Sequence, residues 1–174
     1  MTYHHLLRRS LSHTPWLLLI GIATLLPACG WGDEIDTLHA QRDIWERAGG
    51  QDYPMVAAID CFCDLDGFAT LRIEGGEIVE VTEPETGAPL TRYGDGKGPT
   101  ISVAEAQTHY MTVDQLFDEV ERLLDHDPSD FSITYHPTLG YPTQVHFHGS
   151  RWVGDSGWGA TITSLELGRT SGDP

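Results

Sequence analysis

Three closely spaced strand patterns in the first half of the chain are the feature that most restricts its fold. Residues 56–63, 68–74 and 77–82 read as strands, and the third alternates apolar and polar residues clearly. The turn signals are short: Asp66-Gly67 precedes the second strand, and Gly75-Gly76 separates the second from the third. A two-residue turn can join only antiparallel neighbours. The stretch therefore predicts a three-stranded antiparallel meander.

A helix pattern precedes this meander, and a second one follows it. Residues 33–48 carry acidic side chains in the first turn, where the helix dipole favours anions, and Gly49-Gly50 ends the pattern. In the second helix, Thr112 and Gln115 have the spacing of a capping box. Apolar residues then recur at helical spacing and predict a buried face: Val113, Leu116, Phe117, Val120, Leu123 and Leu124.

Three more strand patterns occupy 131–136, 143–148 and 160–167. The order of elements is therefore α-βββ-α-βββ. We expect a single α+β domain over residues 33–167, in which two helices pack on one face of an antiparallel sheet. The tail over 168–174 is expected to fray.

The segment 83–110 is rich in proline and glycine, which predicts a long loop. Its run Gly94-Asp95-Gly96-Lys97-Gly98 resembles a phosphate cradle. The Walker motif, however, requires a glycine five residues before the Gly-Lys pair, and Thr91 stands there. The spacing therefore favours an exposed surface loop.

The first 28 residues are predicted to be a secretory signal peptide. A basic start precedes an uncharged apolar run over 16–26, which is shorter than the roughly 20 residues that a spanning helix needs. Cys29 directly follows the small residue Ala28, and this arrangement resembles the lipobox of bacterial lipoproteins. The resemblance implies cleavage between Ala28 and Cys29, acylation of the Cys29 thiol and a short tether over 29–32. An ordinary signal peptide with an incidental cysteine is the alternative.

The lipobox resemblance also implies an address. The protein would reach the cell envelope, with the membrane as its partner through the N-terminal lipid. Lipoproteins kept at the inner membrane commonly carry aspartate after the acylated cysteine, whereas this chain has Gly30. The resemblance therefore favours the outer membrane over the inner membrane.

The chain is strongly acidic, which limits its partners. It has 26 Asp and Glu residues against 10 Lys and Arg residues, a formal net charge of −16. Such a chain repels phosphate backbones, which argues against nucleic-acid binding. It also repels anionic lipids, so we expect the acyl chains to provide the link to the membrane.

Cys61 and Cys63 are the only cysteines besides Cys29, and three interpretations stay open. An exported chain meets an oxidising compartment, which favours a disulfide between Cys61 and Cys63. Residues i and i+2 of a regular strand stand too far apart for that bond, so closing it needs a bulge or bend. Reduced buried cysteines and a metal or redox pair are the alternatives.

Two histidines separated by one residue, His146 and His148, share one face of a predicted strand. Together with His136, or with Cys61 and Cys63, they could form a zinc or copper site, because imidazole and thiolate are typical ligands of these metals. The alternative is that the histidines line a solvent-facing side opposite a buried aromatic residue.

Three motifs carry a family resemblance: Cys61-Phe62-Cys63 at the first strand, the helix entry over Thr112–Phe117, and Tyr-x-x-x-x-Gly-Tyr-Pro over 135–142. Together with the lipobox, their order and spacing resemble a family of small, uncharacterised bacterial lipoproteins. The resemblance extends from about Trp45 to Leu167. It implies an envelope address and a fold, and it implies no activity.

We therefore expect a lipid-anchored envelope protein of unknown activity, a binding or structural module with no cofactor and with an envelope protein as its partner. The first alternative is an envelope metal-binding protein that uses His146 and His148, with or without Cys61 and Cys63. The second is an envelope enzyme with a site on the loop 83–110, although no catalytic residue is predicted. The hydrolase motifs Gly-x-Ser-x-Gly and His-Glu-x-x-His do not occur in the sequence.

Overall fold

The computed structural model describes residues 32–60, 65, 67–92, 97–126, 131–147 and 157–168. Three helices and six strands lie within these ranges. In chain order they are α1 (Gly32–Ala48), β1 (Tyr53–Asp60), β2 (Phe68–Glu74), β3 (Glu77–Thr82), α2 (Val103–His109), α3 (Val113–His126), β4 (Phe131–Tyr135), β5 (Pro142–Phe147) and β6 (Trp158–Leu165).

The six strands form one antiparallel sheet with the order β3-β2-β1-β6-β5-β4. β1 and β6 pair at its centre, so the two three-stranded meanders join through the first and last strands. β3 and β4 form opposite edges. The segment that connects them has to cross the sheet, and it places α2 next to β3 and α3 next to β5.

The helices cover one face of the sheet and bury its apolar side chains, which confirms the predicted α+β fold. Along β1, Tyr53, Met55, Ala57 and Ile59 are buried, whereas the residues between them are exposed or half-buried. We call the side opposite the helices the open face. By strand register it carries, among others, Ala58, Asp60, Phe68, Arg72, Glu80, Ser132, Gln144, His146, Gly159 and Thr161.

The start of α3 is held by its own cap and by β1. The predicted capping box forms: the Gln115 side-chain carbonyl accepts the Thr112 N–H at 2.9 Å, and the Thr112 hydroxyl accepts the Gln115 N–H at 3.4 Å. The buried Tyr53 hydroxyl accepts the Val113 N–H at 2.9 Å. Burial raises the pKa of Tyr53, so the phenol stays neutral at this contact.

Trp45 joins α1 to the sheet and to α3. Its ring is 1 % exposed and packs edge-on against Tyr53 and Tyr141, with centroids 5.3 Å and 5.9 Å away. Its indole N–H donates to the Asp114 carboxylate at 2.9 Å. One side chain therefore connects three elements of the core.

Three elements differ from the sequence prediction by more than one residue: β6, which begins and ends two residues earlier than predicted, the segment at α2, and β1. The loop prediction over 83–110 is wrong at α2, where the Ser102 hydroxyl accepts the Glu105 N–H at 3.2 Å and Ala106 is buried. A helix of seven residues is too short to give a readable periodic pattern. β1 begins three residues earlier than predicted, because Pro54 is accommodated near the start of the strand, and the predicted end at Cys63 lies outside the described residues.

Candidate functional site

Most residues that the sequence nominated lie outside the described ranges: Ala28, Cys29, Cys61, Cys63 and His148. Within those ranges, no helix is long and apolar enough to span a bilayer. His136 and His146 are described, and they lie at opposite ends of the β4–β5 hairpin. His146 faces Ser132, which is four residues from His136, or about 13 Å at ~3.3 Å per residue. The structure does not bring these two histidines together.

His136 holds the turn between β4 and β5. Its Nδ1 accepts the Leu139 N–H at 3.1 Å and the Thr138 N–H at 3.3 Å. Its ring stacks on Tyr141, with centroids 4.8 Å apart and an angle of 20° between the planes. Because Nδ1 is an acceptor in these bonds, the proton of the neutral ring lies on Nε2. These contacts give His136 a structural role.

His146 belongs to a row of residues that crosses four strands on the open face. The register aligns Ser132 on β4, His146 on β5, Gly159 on β6 and Asp60 on β1. A Cβ atom built on Gly159 would stand 3.0 Å from His146 Nδ1 and 3.4 Å from Asp60 Cβ. The imidazole and the aspartate therefore flank the glycine closely from both sides.

The neighbouring row completes a small surface that we call the open-face patch. This row places Phe68, Ala58, Thr161 and Gln144 side by side on β2, β1, β6 and β5. The Nε2 atoms of Gln144 and His146 are 3.0 Å apart, within hydrogen-bond distance. The patch has a floor of small residues, Ala58, Gly159 and Thr161, and a rim of larger ones, Asp60, Phe68, Gln144 and His146.

The rim of the open-face patch suits a ligand that offers both apolar surface and hydrogen-bonding groups. Phe68 is 46 % exposed, one of two large apolar side chains so exposed in the described part of the chain. The carboxylate of Asp60, on the adjacent strand, accepts hydrogen bonds, and the amide of Gln144, three strands away from Phe68, both donates and accepts. An aromatic ring in this position offers apolar contact area, and the polar side chains of the patch offer hydrogen bonds.

The ends of β1 and β5 lie at the same end of the sheet as this patch. Both strands are antiparallel to β6, so they run parallel to each other. In the sequence, Cys61 follows the last residue of β1, and His148 follows the last residue of β5. Among the described His, Cys, Asp and Glu residues, however, no group of three could hold a metal ion.

A cleft of about 360 Å³ lies between α2 and α3. It is lined by residues 107–110, which belong to the segment predicted as a loop, by Met111 and by one side of α3. Its carboxylates have cationic partners: Asp118 pairs with Arg42 at 2.5 Å, and Glu119 accepts two bonds from Arg122 at 2.5 Å and 2.8 Å. The charged groups of this cleft therefore form ion pairs that link α1 to α3 or lie within α3.

Sequence reasoning identified His146 in the open-face patch and missed its other members. Asp60, Phe68 and Gly159 belong to three different strands, and the pairing of β1 with β2 and β6 brings them together. The pairing of β1 with β2 follows from the predicted meander, but the pairing of β1 with β6 joins strands distant in sequence and leaves no local pattern, so no signal in the sequence brings Gly159 and His146 next to Asp60.

Neither a curated protein nor a solved structure matches this chain. A family model, described as a family of unknown function (DUF6174), matches residues 37–167. The match includes all six strands, α2, α3 and most of α1. Because it covers the whole sheet and well over half of the chain, the protein belongs to the DUF6174 family of unknown function.

Proposed function

We propose that this protein is a lipid-anchored bacterial envelope protein whose α+β domain binds another envelope component through the open-face patch. The observation that carries the binding role is Phe68, whose ring is 46 % exposed beside a floor of small residues. Covering such a ring removes apolar surface from water, which favours binding by roughly 25 cal/mol for each Å² that is covered. The polar rim then gives the contact its specificity.

The anchor is supported by the sequence around Cys29 and by the start of the fold. α1 begins at Gly32, three residues after Cys29, so the domain would be held within roughly 10 Å of the acylated residue. The net charge of −16 gives the surface no attraction to anionic lipid, which leaves the acyl chains as the attachment. Gly30 favours the outer membrane as the destination.

Labelling with a fatty-acid probe tests the anchor. The wild-type protein should incorporate the probe, and Cys29→Ser should not, because the acyl thioether needs the thiol. Cys61→Ser is the matched control and should label like the wild type. Equal labelling of wild type and Cys29→Ser would refute the anchor, and membrane fractionation of the wild type tests the destination.

Photocrosslinking in the membrane-anchored protein tests the binding surface. A benzophenone amino acid in place of Phe68 should capture a specific envelope component. The same probe in place of Glu80, on the open face but away from the patch, should not. Gly159→Val raises the floor and should abolish capture from position 68. Capture that is equal at both positions, or that survives Gly159→Val, would contradict the proposal.

Metal binding is the second candidate function, and one observation favours it. Asp60 and His146, both common ligand types, flank Gly159 on neighbouring strands of the open face. If the site exists, the purified protein should contain zinc or copper, and His146→Ala should lower that content. His136→Ala should not, because His136 holds the opposite turn. Metal content that is nil, or equal in both variants, would exclude it.

A further inference from the structure

The two edges of the sheet are protected to different degrees. β3 carries the charged residues Glu77 and Glu80, and its pairing with β2 contains a bulge in which Val79 is the extra residue. After β3 the chain folds back, and Pro89 forms a bridge with Thr82. Charges, bulges and covering loops are the usual means of preventing strand pairing at an edge.

β4 has none of these protections within its own five residues. Its sequence, Phe-Ser-Ile-Thr-Tyr, contains no charge, proline or glycine. The irregularity in its pairing lies in β5, where Thr143 is the extra residue, so β4 itself is regular. A regular strand edge without charge or proline presents free backbone groups with which a further strand can pair.

The free hydrogen-bonding groups of β4 can be assigned from its contacts with β5. The Thr134 carbonyl accepts from the Thr143 hydroxyl at 3.2 Å, so Thr134 faces β5. Because backbone groups alternate along a strand, those of Phe131, Ile133 and Tyr135 point away from β5. Within the described ranges, these outward groups have no backbone partner.

The residues of β4 are also self-complementary. If two copies of the strand lie antiparallel with Ile133 opposite Ile133, then Phe131 faces Tyr135 and Ser132 faces Thr134 of the second copy. Aromatic residues thus meet aromatic residues, and hydroxyls meet hydroxyls, which are favourable cross-strand pairs. The side chains of Phe131, Ile133 and Tyr135 are only half-buried against the core, so a second copy would complete their burial.

We propose that two copies of this chain join edge to edge through β4, antiparallel about Ile133, and so form one continuous sheet. The contact is isologous, because each copy offers the same strand. The three outward residues of each copy would pair with three of the other, with two backbone hydrogen bonds in each pair. The net charge of −16 on each copy opposes this association at long range. Added salt should therefore strengthen the dimer by screening.

Register-specific disulfide formation in native membranes tests this arrangement. In the proposed register, Ser132 and Thr134 of the second copy form a non-hydrogen-bonded pair, with Cα atoms about 4.5 Å apart, which a disulfide can bridge. The double variant Ser132→Cys/Thr134→Cys should therefore give a cross-linked dimer on a non-reducing gel. Each single variant should give none beyond the background of the parent chain, because position 132 faces position 134 and not itself.

Two variants of Ile133 separate the backbone contact from the side chain. Ile133→Pro removes an N–H that points away from β5, so the monomer loses no internal hydrogen bond. Ile133→Ala is the matched control, since it truncates the same side chain and keeps the N–H. By sedimentation equilibrium of the detergent-extracted protein, the wild type and Ile133→Ala should be dimers, and Ile133→Pro should be a monomer.

The outcomes that would overturn the dimer are distinct. A monomeric wild type, or cross-linking in the single cysteine variants alone, would refute the proposed register. Association of Ile133→Pro as strong as that of the wild type would show that the edge of β4 is not the contact. An association that salt weakens would indicate a basic partner strand on β4 in place of a second copy.

Discussion

Gly140→Ala should lower the free energy of unfolding far more than the same substitution at an ordinary turn glycine. Gly140 has φ +76°, a conformation that costs a residue with a Cβ about 1–2 kcal/mol. The added Cβ would also stand 2.9 Å from Ile44 Cβ and inside contact with the Gln41 carbonyl oxygen, both on α1. Forcing extra atoms into a close-packed contact costs about 1–3 kcal/mol more. We expect a total loss of about 2–5 kcal/mol, a large part of a typical domain stability.

Gly87→Ala is the matched control for this experiment. Gly87 has a similar φ of +67°, but a Cβ built on it has no neighbour within 4 Å. It should therefore cost only the conformational part, about 1–2 kcal/mol. Urea unfolding of both variants gives the comparison, provided that the slope of the transition is unchanged. Equal losses for the two variants would show that the turn of Gly140 does not pack against α1.

Two further predictions concern the start of α3. Phe117→Ala should lower the free energy of unfolding in urea by about 3–5 kcal/mol, because the ring is fully buried. Thr112→Ala should lower it by about 1 kcal/mol through the lost cap. An unchanged midpoint for Phe117→Ala would contradict the packing of α3. Burial raises the pKa of Tyr53 above the ordinary 10.0, so its contribution to stability is complete below pH 10 and falls as the pH rises further. Tyr53→Phe should flatten this alkaline decline and lower the stability at pH 7, because the Val113 N–H loses its acceptor; an unchanged decline would assign it to other groups.

The elements that the sequence predicted well are those decided by neighbours in the chain. The bounds of β2 and β3 agree with the prediction at both ends, because the two-residue turn at Gly75-Gly76 fixes their register. The cap of α3 was equally readable, since Thr112 and Gln115 satisfy each other within one turn. In both cases the interacting residues are close neighbours in the sequence, so the local pattern is enough to predict the contact.

α1 forms as predicted, although Arg42 is a charged residue on a side of the helix that packs against the domain. The charge breaks the helical pattern in the sequence, yet the side chain points toward α3. There it donates to Asp118 at 2.5 Å and to Glu121 at 3.4 Å, and it lies over the ring of Phe117. Burial lowers the pKa of Arg42, but these carboxylates outweigh burial and raise it overall. A contact between helices that is made by ion pairs produces no recurring apolar residues, so the apolar pattern of the sequence does not predict it.

The order of strands and the open-face patch could not be predicted, because both depend on the pairing of β1 with β6. That pairing joins the two ends of the domain, and it places Asp60 and His146 on either side of Gly159. Local alternation predicts which residues share a face of one strand, but it does not predict which strands are neighbours. The same reasoning applies to β4, whose position at an edge follows only from the full order.

The proposed anchor and the proposed dimer together fix how the domain would face the membrane. A two-fold axis through paired β4 strands stands perpendicular to the sheet, so both α1 helices lie on the same side of the assembly. Both acyl chains can enter one bilayer only if this axis is parallel to the membrane normal, with the helices toward the lipid and the open face away from it. A fluorescent amino acid in place of Asp36, on α1, should then be quenched by lipids with labelled head groups, and one in place of Phe68 should not. Equal quenching at both positions would show that the domain lies on its side. That result would contradict the dimer but not the anchor, because the anchor alone imposes no such orientation.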